Sequence, residues 1–419
     1  MIGAAPSASA FATIDAPARS SAPAEVVMDV SGLLSRWRQA TPTGIDRVEM
    51  AYAQALIRRD PDRLAFGGLR PGGGYARFPT VVVRDYLEAT QEMWALGEGG
   101  DGARRGRLAF LAMLDIRPVP GGAARRPRAY LHLSPRGLER LRAYEGLLKR
   151  EHARMVTFVH DLIPLEHPEF VREGGAARFR RKLETLARLA DGVLVNSRAT
   201  AAATRAHLAQ LGREIPLRVA PLGVPPSAAA GRHGRGDRPY FVVLGTIEPR
   251  KNHLLLLNIW RRWVELEGAQ AVPDLVVVGR RGWENENILD LLDRSPALRR
   301  VVDERAGLGD VATRSLVAGA RAVLCPSFAE GYGLAVAEAL RLGTPVIASD
   351  IAAHREVGGA AADYLDPLDG LAWVRAVRDY AEPDSARRRA QQARLADWKG
   401  AGWAEHFQIA FQLIEDVAR

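Results

Sequence analysis

Short apolar runs alternate with longer amphipathic ones along most of the 419-residue chain, and they do so in two series. The first reads as strands VVMDV (26–30), TVVV (80–83), RLAFLAML (107–114), AYLHL (129–133), MVTFVHD (155–161) and GVLVN (192–196). Helices fall between them, the clearest over 174–190. The stretch APLGVPPSAAAGRHGRGDRP (220–239), rich in Pro, Gly and small residues, then reads as a linker. A second series follows: YFVVLG (240–245), DLVVVG (274–279), RAVLC (321–325) and PVIAS (345–349). This alternation predicts parallel sheets covered by helices, hence an α/β protein of two doubly wound, Rossmann-like domains facing across a cleft. Ligands of such sheets bind beyond the carboxyl ends of the strands, so the cleft is the expected site.

Composition narrows the setting. The chain is 47% hydrophobic and 26% charged, ordinary for a globular protein, and holds no apolar run of membrane-spanning length. Its one cysteine, Cys325, can form neither an internal disulfide nor a cysteine metal site, which fits a reducing, cytoplasmic location. The Ala-, Ser- and Pro-rich residues 1–24 lack the pattern of a secretion signal and are expected to form a disordered arm. Net charge is +9, and residues 101–150 alone hold eleven Arg and one Lys against four acids, 12 − 4 = +8. Such a stretch is either a solvated surface or a face for anionic lipid, phosphorylated molecules or nucleic acid. No nucleic-acid-binding motif accompanies it, so no nucleic-acid partner is expected.

The segment CPSFAEGYGLAVAEALRLGTPVIASD (325–350) places two glutamates in unusual surroundings. After the strand ending at Cys325, the chain turns through Glu330-Gly331-Tyr332-Gly333 and starts a helix near Leu334, with Glu338 inside it. Helix N-termini offer free backbone N–H groups to phosphates, and glycines allow close approach. A glycosidase pair is disfavoured, because retaining enzymes hold their carboxyls about 5–5.5 Å apart, whereas eight residues across a turn and helix separate backbones by roughly 10 Å. Separate tasks suit the pair better. Glu338 would accept hydrogen bonds from a vicinal diol such as a ribose, and Glu330 would face a second hydroxylated group or balance the helix dipole. In EPRKN, Arg250 and Lys251 follow a strand at the expected cleft, where two cations would neutralise a diphosphate.

EGYGLAVAE resembles the E-x7-E element of retaining nucleotide-sugar glycosyltransferases of family 4, which have the GT-B fold. Several further motifs agree in order: FVHDLIPL (158–165), VNSRAT (195–200), VAPLGV (219–224), GTIEPRKNH (245–253) and VVVGRRGW (276–283). The resemblance spans about 25–419. It implies a disordered arm (1–24), a first domain (25–222, completed by 400–419 crossing back), a linker (223–239) and a donor domain (240–399). It further implies that Arg250 and Lys251, starting after Gly245, hold the donor's diphosphate, and that His160 lines the sugar site beside Asp161, which orients the loop. Ser327, Gly331, Gly333, Leu334 and the backbone of Tyr332 would complete the donor pocket. TPTGIDRVE (41–49) has one glycine, Gly44, where the family carries a pair; Gly44 is the expected phosphate contact, and Arg47 is either a second anion contact or packed on the helix surface. AGLGD (306–310) would approach the base.

By this resemblance the reaction moves a sugar, of mannose or rhamnose type, from a nucleoside diphosphate to a hydroxyl of a glycan or lipid-linked acceptor. Configuration would be retained, the setting bacterial surface polysaccharide synthesis, and the basic stretch a docking face for anionic membrane. No metal or other cofactor is expected. The only Asp-x-Asp, at 60–62, reads as a turn, and neither HExxH nor a GxxxxGK loop occurs. EGYGLAV lacks the third small residue of a dinucleotide fingerprint. The alternatives are a nucleotide-sugar 2-epimerase of the same fold and a non-catalytic sugar-nucleotide-binding protein.

Overall fold

The computed structural model describes residues 24–70, 74–114, 127–224 and 238–419. The expected N-terminal arm, most of the linker and the arginine-bearing 115–126 stretch lie outside the described residues. The first lobe is built on β1 (Glu25–Asp29), β2 (Leu64–Leu69), β3 (Tyr75–Phe78), β4 (Arg128–His132), β5 (Arg154–Val159), β6 (Ala190–Val195) and β7 (Leu217–Val219), in the sheet order β3-β2-β1-β4-β5-β6-β7. All pairings are parallel except β2 with β3. The second lobe carries β8 (Tyr240–Leu244), β9 (Asp274–Val278), β10 (Val302–Arg305), β11 (Val323–Cys325), β12 (Val346–Ser349) and β13 (Asp363–Leu365), in the order β10-β9-β8-β11-β12-β13, parallel throughout. In both sheets the order reverses beside the first strand, which opens a crevice at the carboxyl ends.

Two segments expected as strands are helices. TVVV opens the helix Thr80–Leu96, whose buried Val83, Tyr86, Leu87, Thr90, Met93 and Trp94 recur at helical spacing. RLAFLAML belongs to the helix Gly102–Leu114, which buries Arg105, Ala109 and Ala112 along one stripe. Five strands escaped the sequence pattern for physical reasons. β2 carries two glycines, β3 and β7 are edge strands of four and three residues, and β10 and β13 are sheet edges whose residues are only half-buried.

The arginine-rich 101–150 stretch is not a uniform basic face. Arg105 is buried, donating to Thr90 Oγ1 at 3.0 Å and to the backbone carbonyls of Gln39 and Arg36. Arg128 is buried against Glu25 and Glu151. What the helix Gly102–Leu114 exposes is partly apolar: Phe110, Leu111 and Leu114 stand in solvent beside Arg107.

The last helix, Trp403–Ala418, lies against β4 to β7 of the first lobe. It buries Phe407, Phe411, Leu413 and Ile414, each contributing about 1.5–3 kcal/mol of transfer free energy. His406, fully buried, places Nδ1 3.0 Å from the carbonyls of Ala220 and Pro221 and Nε2 2.8 Å from the Tyr52 hydroxyl. A carbonyl can only accept, so Nδ1 carries the proton and Nε2 accepts from Tyr52. This ties the crossing helix to the segment that leaves the first lobe.

Candidate active site

β8 ends at Leu244, and the chain passes through Gly245 into a short 3-10 turn, Pro249–Lys251, ahead of the helix His253–Glu267. β11 ends at Cys325 and leads through 326–333 into the helix Leu334–Arg341. The two loops are stitched together by backbone: Phe328 N–H donates to the Arg250 carbonyl at 2.8 Å, and the Arg250 guanidinium donates to the Ala329 carbonyl at 3.0 Å. The paired cations and the amide-bearing start of the 334 helix therefore share one corner of the second lobe.

Glu330 sits between the cations. One oxygen pairs with Lys251 Nζ and accepts from Ser327 Oγ at 2.8 Å; the other lies 2.8 Å from Arg250. Burial would raise this carboxyl, but the charges of Arg250 and Lys251 outweigh it and hold the group well below the usual carboxylate range. Arg250 also pairs with the buried Glu248 at 2.7 Å. Glu330 thus does not face the cleft as an open hydroxyl acceptor; it neutralises the expected diphosphate-binding pair. His354, whose Nδ1 lies 3.0 Å from the Ser349 carbonyl, completes this corner, and burial keeps its imidazole below its ordinary value. Lys251, Glu330, Ser327, Gly333 and His354 border a gap of only about 10 Å³.

The first lobe closes on this corner. His160, at the end of β5, is buried and neutral: burial pushes it down to about 4, and its Nε2 donates to the Leu133 carbonyl at 2.7 Å. The His160 carbonyl is held by Asn196 Nδ2 at 2.8 Å, and Asp161 accepts from the Ile163 N–H at 3.2 Å. Gly331 lies directly on them, so that a methyl group there would overlap the His160 carbonyl and Asp161. Its own carbonyl accepts from Ser197 Oγ at 2.8 Å and Thr200 Oγ1 at 3.1 Å. Gly333, with φ +98°, makes the left-handed turn that caps the 334 helix. Tyr332 sends its ring into the first-lobe core and donates to the Leu222 carbonyl at 2.8 Å, so only its backbone is left to the donor corner.

Gly44 begins the helix Gly44–Arg59, capped by Thr43 and Asp46, and packs against Leu334. One turn on, Arg47 makes a two-pronged pair with Asp310 across the lobes, at 2.9 and 2.6 Å, and lies 3.9 Å from Glu338. Burial raises the Glu338 carboxyl, and Arg47 counters it. The 306–310 loop meets the end of the Thr80–Leu96 helix, where Gly97 and Leu308 form an antiparallel bridge. Phe170 of the first lobe stacks on Phe328 of the second, ring centres 5.6 Å apart.

Next to this corner a cavity of about 270 Å³ opens on the first-lobe side. Leu138, Ile163, Phe179, Leu183 and Leu186 give it apolar walls, while His160, Asp161, Arg250 and Lys182 also line it. Among the described residues no group of three or more His, Cys, Asp or Glu side chains could hold a metal ion.

Residues 238–382 match the family model described as glycosyl transferases group 1. Among solved structures, Anabaena HepE in complex with UDP superposes with a TM-score of 0.56 at 15% identity, covering 93% of this chain and 98% of that one. The second lobe thus resembles a glycosyl transferases group 1 domain, and the chain has the GT-B fold. Sucrose-phosphate synthase of Thermosynechococcus elongatus shares the fold with a TM-score of 0.54 at 21% identity, over 70% of this chain and 74% of that one. In sequence, the chain is 28% identical over 261 residues to the serotype-specific mannosyltransferase WbdA of Escherichia coli, covering 58% of this chain and 32% of that protein. It is 34% identical over 170 residues to O-antigen chain mannosyltransferase B of Escherichia coli, 39% of this chain and 42% of that one. The chain thus spans about a third to two fifths of these relatives.

Within this GT-B chain the structure brings together Glu330, Arg250, Lys251, Ser327, Gly331 and His160, and sets Glu338, Gly44 and Leu334 beside them. Sequence reasoning missed Glu248, Asp310 and His354. Glu248 lies inside the quoted GTIEPRKNH, yet only its fold neighbours reveal the charge it balances. Asp310 ends the quoted AGLGD, but its pairing with Arg47 shows only in the fold, and His354 stands in a segment without a motif.

Proposed function

We propose that the chain is a retaining glycosyltransferase that uses a nucleoside-diphosphate sugar, of mannose type, to extend a glycan or lipid-linked acceptor in bacterial surface polysaccharide synthesis. The observation that carries this reading is the corner where Arg250, Lys251 and the start of the 334 helix converge on Glu330. Two cations and free helix N–H groups suit a diphosphate. The mannosyltransferase names of the sequence relatives support the sugar class. Closed as it is, the corner admits a donor only when Glu330 yields the two cations or the lobes part. Glu338 would then receive the ribose diol, with Arg47 moving aside.

Charge stabilisation of the departing diphosphate by Arg250 and Lys251, and orientation by His160, would supply the catalysis. The leaving phosphate would take the acceptor's proton on the same face, which needs no protein nucleophile and no metal. Neutral His160 suits the binding of sugar hydroxyls, since its Nε2 proton is already committed to Leu133. A panel of nucleoside-diphosphate sugars tested by thermal unfolding checks the donor. At a hundred times its dissociation constant the true donor stabilises the fold by about 2.7 kcal/mol. A nucleoside-diphosphate mannose is expected to give the largest rise in Tm, and the absence of a shift with every member would end the proposal.

The exposed Phe110, Leu111 and Leu114 beside Arg107 support a further part of the reading, peripheral docking on an anionic membrane. Sedimentation with vesicles of phosphatidylglycerol is expected to exceed that with phosphatidylcholine, and Phe110→Ser with Leu114→Ser to abolish it. Equal binding to both vesicles removes this part alone.

A further inference from the structure

The cavity on the first-lobe side is apolar over most of its wall and polar where it meets the donor corner. The apolar part includes one stripe of the helix Gly175–Leu189, where Phe179, Leu183 and Leu186 recur at i, i+4 and i+7. Trp283 of the second lobe also lines it and donates Nε1–H to the Phe170 carbonyl at 3.1 Å, so both lobes wall the space. Its charged groups are matched. Arg250 pairs with Glu330 and Glu248 and offsets Asp161, while Lys182 and Glu139 offset each other. The cavity therefore suits a neutral ligand. Two acceptor atoms remain to bind it, on the two residues that Gly331 touches. His160 gives its Nε2 proton to the Leu133 carbonyl, which leaves Nδ1 a lone pair, and Asp161 takes the Ile163 N–H on one oxygen only.

Hydroxyls spread along the apolar wall would be buried without partners, which is costly, whereas hydroxyls at His160 and Asp161 would be satisfied. We propose that the acceptor is a neutral glycoside whose sugar meets His160 and Asp161 and whose apolar aglycone, an alkyl chain, lies along Phe179, Leu183 and Leu186. This rests on the transferase reading above and names the second substrate of that site. The cavity reaches Arg250, so a hydroxyl at the sugar end stands beside the diphosphate corner. At about 270 Å³ the space lies just under the range of roughly 300–1,000 Å³ common for small-molecule sites. It therefore takes the part of the aglycone next to the sugar, and the rest of the chain lies outside.

The test is calorimetric titration of the full chain, without donor, by methyl, butyl, hexyl and octyl mannoside, each below its micelle concentration. Burying one methylene group is worth about fourfold in affinity, so binding tightens by about that factor per carbon until the cavity is full, and then levels. Phe179→Ser, at a half-buried position of the wall, flattens the series, and thermal unfolding shows whether the variant folds. Val171→Ser, also half-buried and cavity-lining, is the second variant and lowers the slope in the same way. A flat series in the wild type, no binding of octyl mannoside, or a slope that both folded variants leave unchanged overturns the proposal. The same compounds then serve as acceptors with the donor of the thermal panel, and acceptor KM is expected to fall along the series while kcat stays constant. Transfer to methyl and octyl mannoside with equal KM overturns the aglycone site and leaves the transferase standing. A chain-length slope in binding, with no transfer from any nucleoside-diphosphate sugar, removes the transferase reading and leaves the site.

Discussion

Alanine at position 251 lowers kcat/KM for sugar transfer by about 10²–10³-fold while the protein stays folded. The magnitude is that of removing one preorganised donor from a site where negative charge develops. Lys251 Nζ reaches the same carboxylate oxygen as Ser327, and Arg250 holds the other oxygen at 2.8 Å. After Lys251→Ala, Glu330 keeps Arg250 and Ser327 as partners, so the large cost of orphaning a buried charge is avoided. The loss must then appear in catalysis and in donor binding rather than in stability. Arg250→Ala is the harsher change, because it would leave both Glu248 and Glu330 short of a counter-charge, and a drop in Tm would accompany its loss of activity. Steady-state rates with the best donor of the thermal panel, beside Tm for each variant, separate the two. An unchanged kcat/KM for Lys251→Ala would remove Lys251 from the diphosphate site and with it the assignment of this corner.

The two-lobed plan was legible because each central strand is an unbroken apolar run, buried on both faces, and such runs survive any detail of helix packing. The site was legible where chemistry needs contiguous residues: a pair of cations at 250–251, glycines around a helix start, a histidine closing a strand. What stayed hidden was of two kinds. β-Branched Val81–Val83 read as a strand, and only the recurrence of Tyr86, Leu87 and Trp94 beyond them makes the segment helical. Long-range charge partnerships were hidden as well. Arg47 finds Asp310 263 residues away, and Glu330 finds Lys251 79 residues away. That second pairing changed the picture of the resting site most, since a glutamate expected to face the substrate holds its own cations instead. VNSRAT shows the converse: a motif matched only by likeness turns out to have a local task, with Ser197 and Thr200 gripping the Gly331 carbonyl and Asn196 gripping that of His160.

Below pH 6.5 the fold loses stability, and His406 is one reason. Burial pushes His406 down to about 4 from an ordinary value near 6.5, against the pull of the Pro221 and Ala220 carbonyls. Above pH 6.5 folded and unfolded chains both carry a neutral ring, so the group adds no pH dependence there. Between 6.5 and about 4 the unfolded chain takes up a proton that the folded one refuses, and stability falls as pH falls. From pH 6.5 to 4.5 this amounts to about 2 kcal/mol, since the unfolded ring is only half protonated at the upper end. Other buried groups titrate in overlapping windows, with His160 and His253 pulling the same way and the raised carboxyl of Glu49 the opposite way. A difference measurement cancels them. His406→Asn retains an amide donor for the Ala220 and Pro221 carbonyls but cannot titrate. At pH 7 the wild type is more stable than this variant, and the gap narrows by about 2 kcal/mol on going from pH 6.5 to 4.5. Urea unfolding of both proteins at each pH reads this directly, and a gap that stays constant shows that His406 is protonated in the fold or exposed. The consequence reaches the site. His406 binds the carbonyls of Ala220 and Pro221, and Leu222, the next residue, accepts from Tyr332 of the glycine turn. The folded ring takes up its proton only near pH 4, so in the wild type the strut that holds Gly331 and Gly333 against the first lobe, and donor affinity with it, weakens only there, and not in His406→Asn.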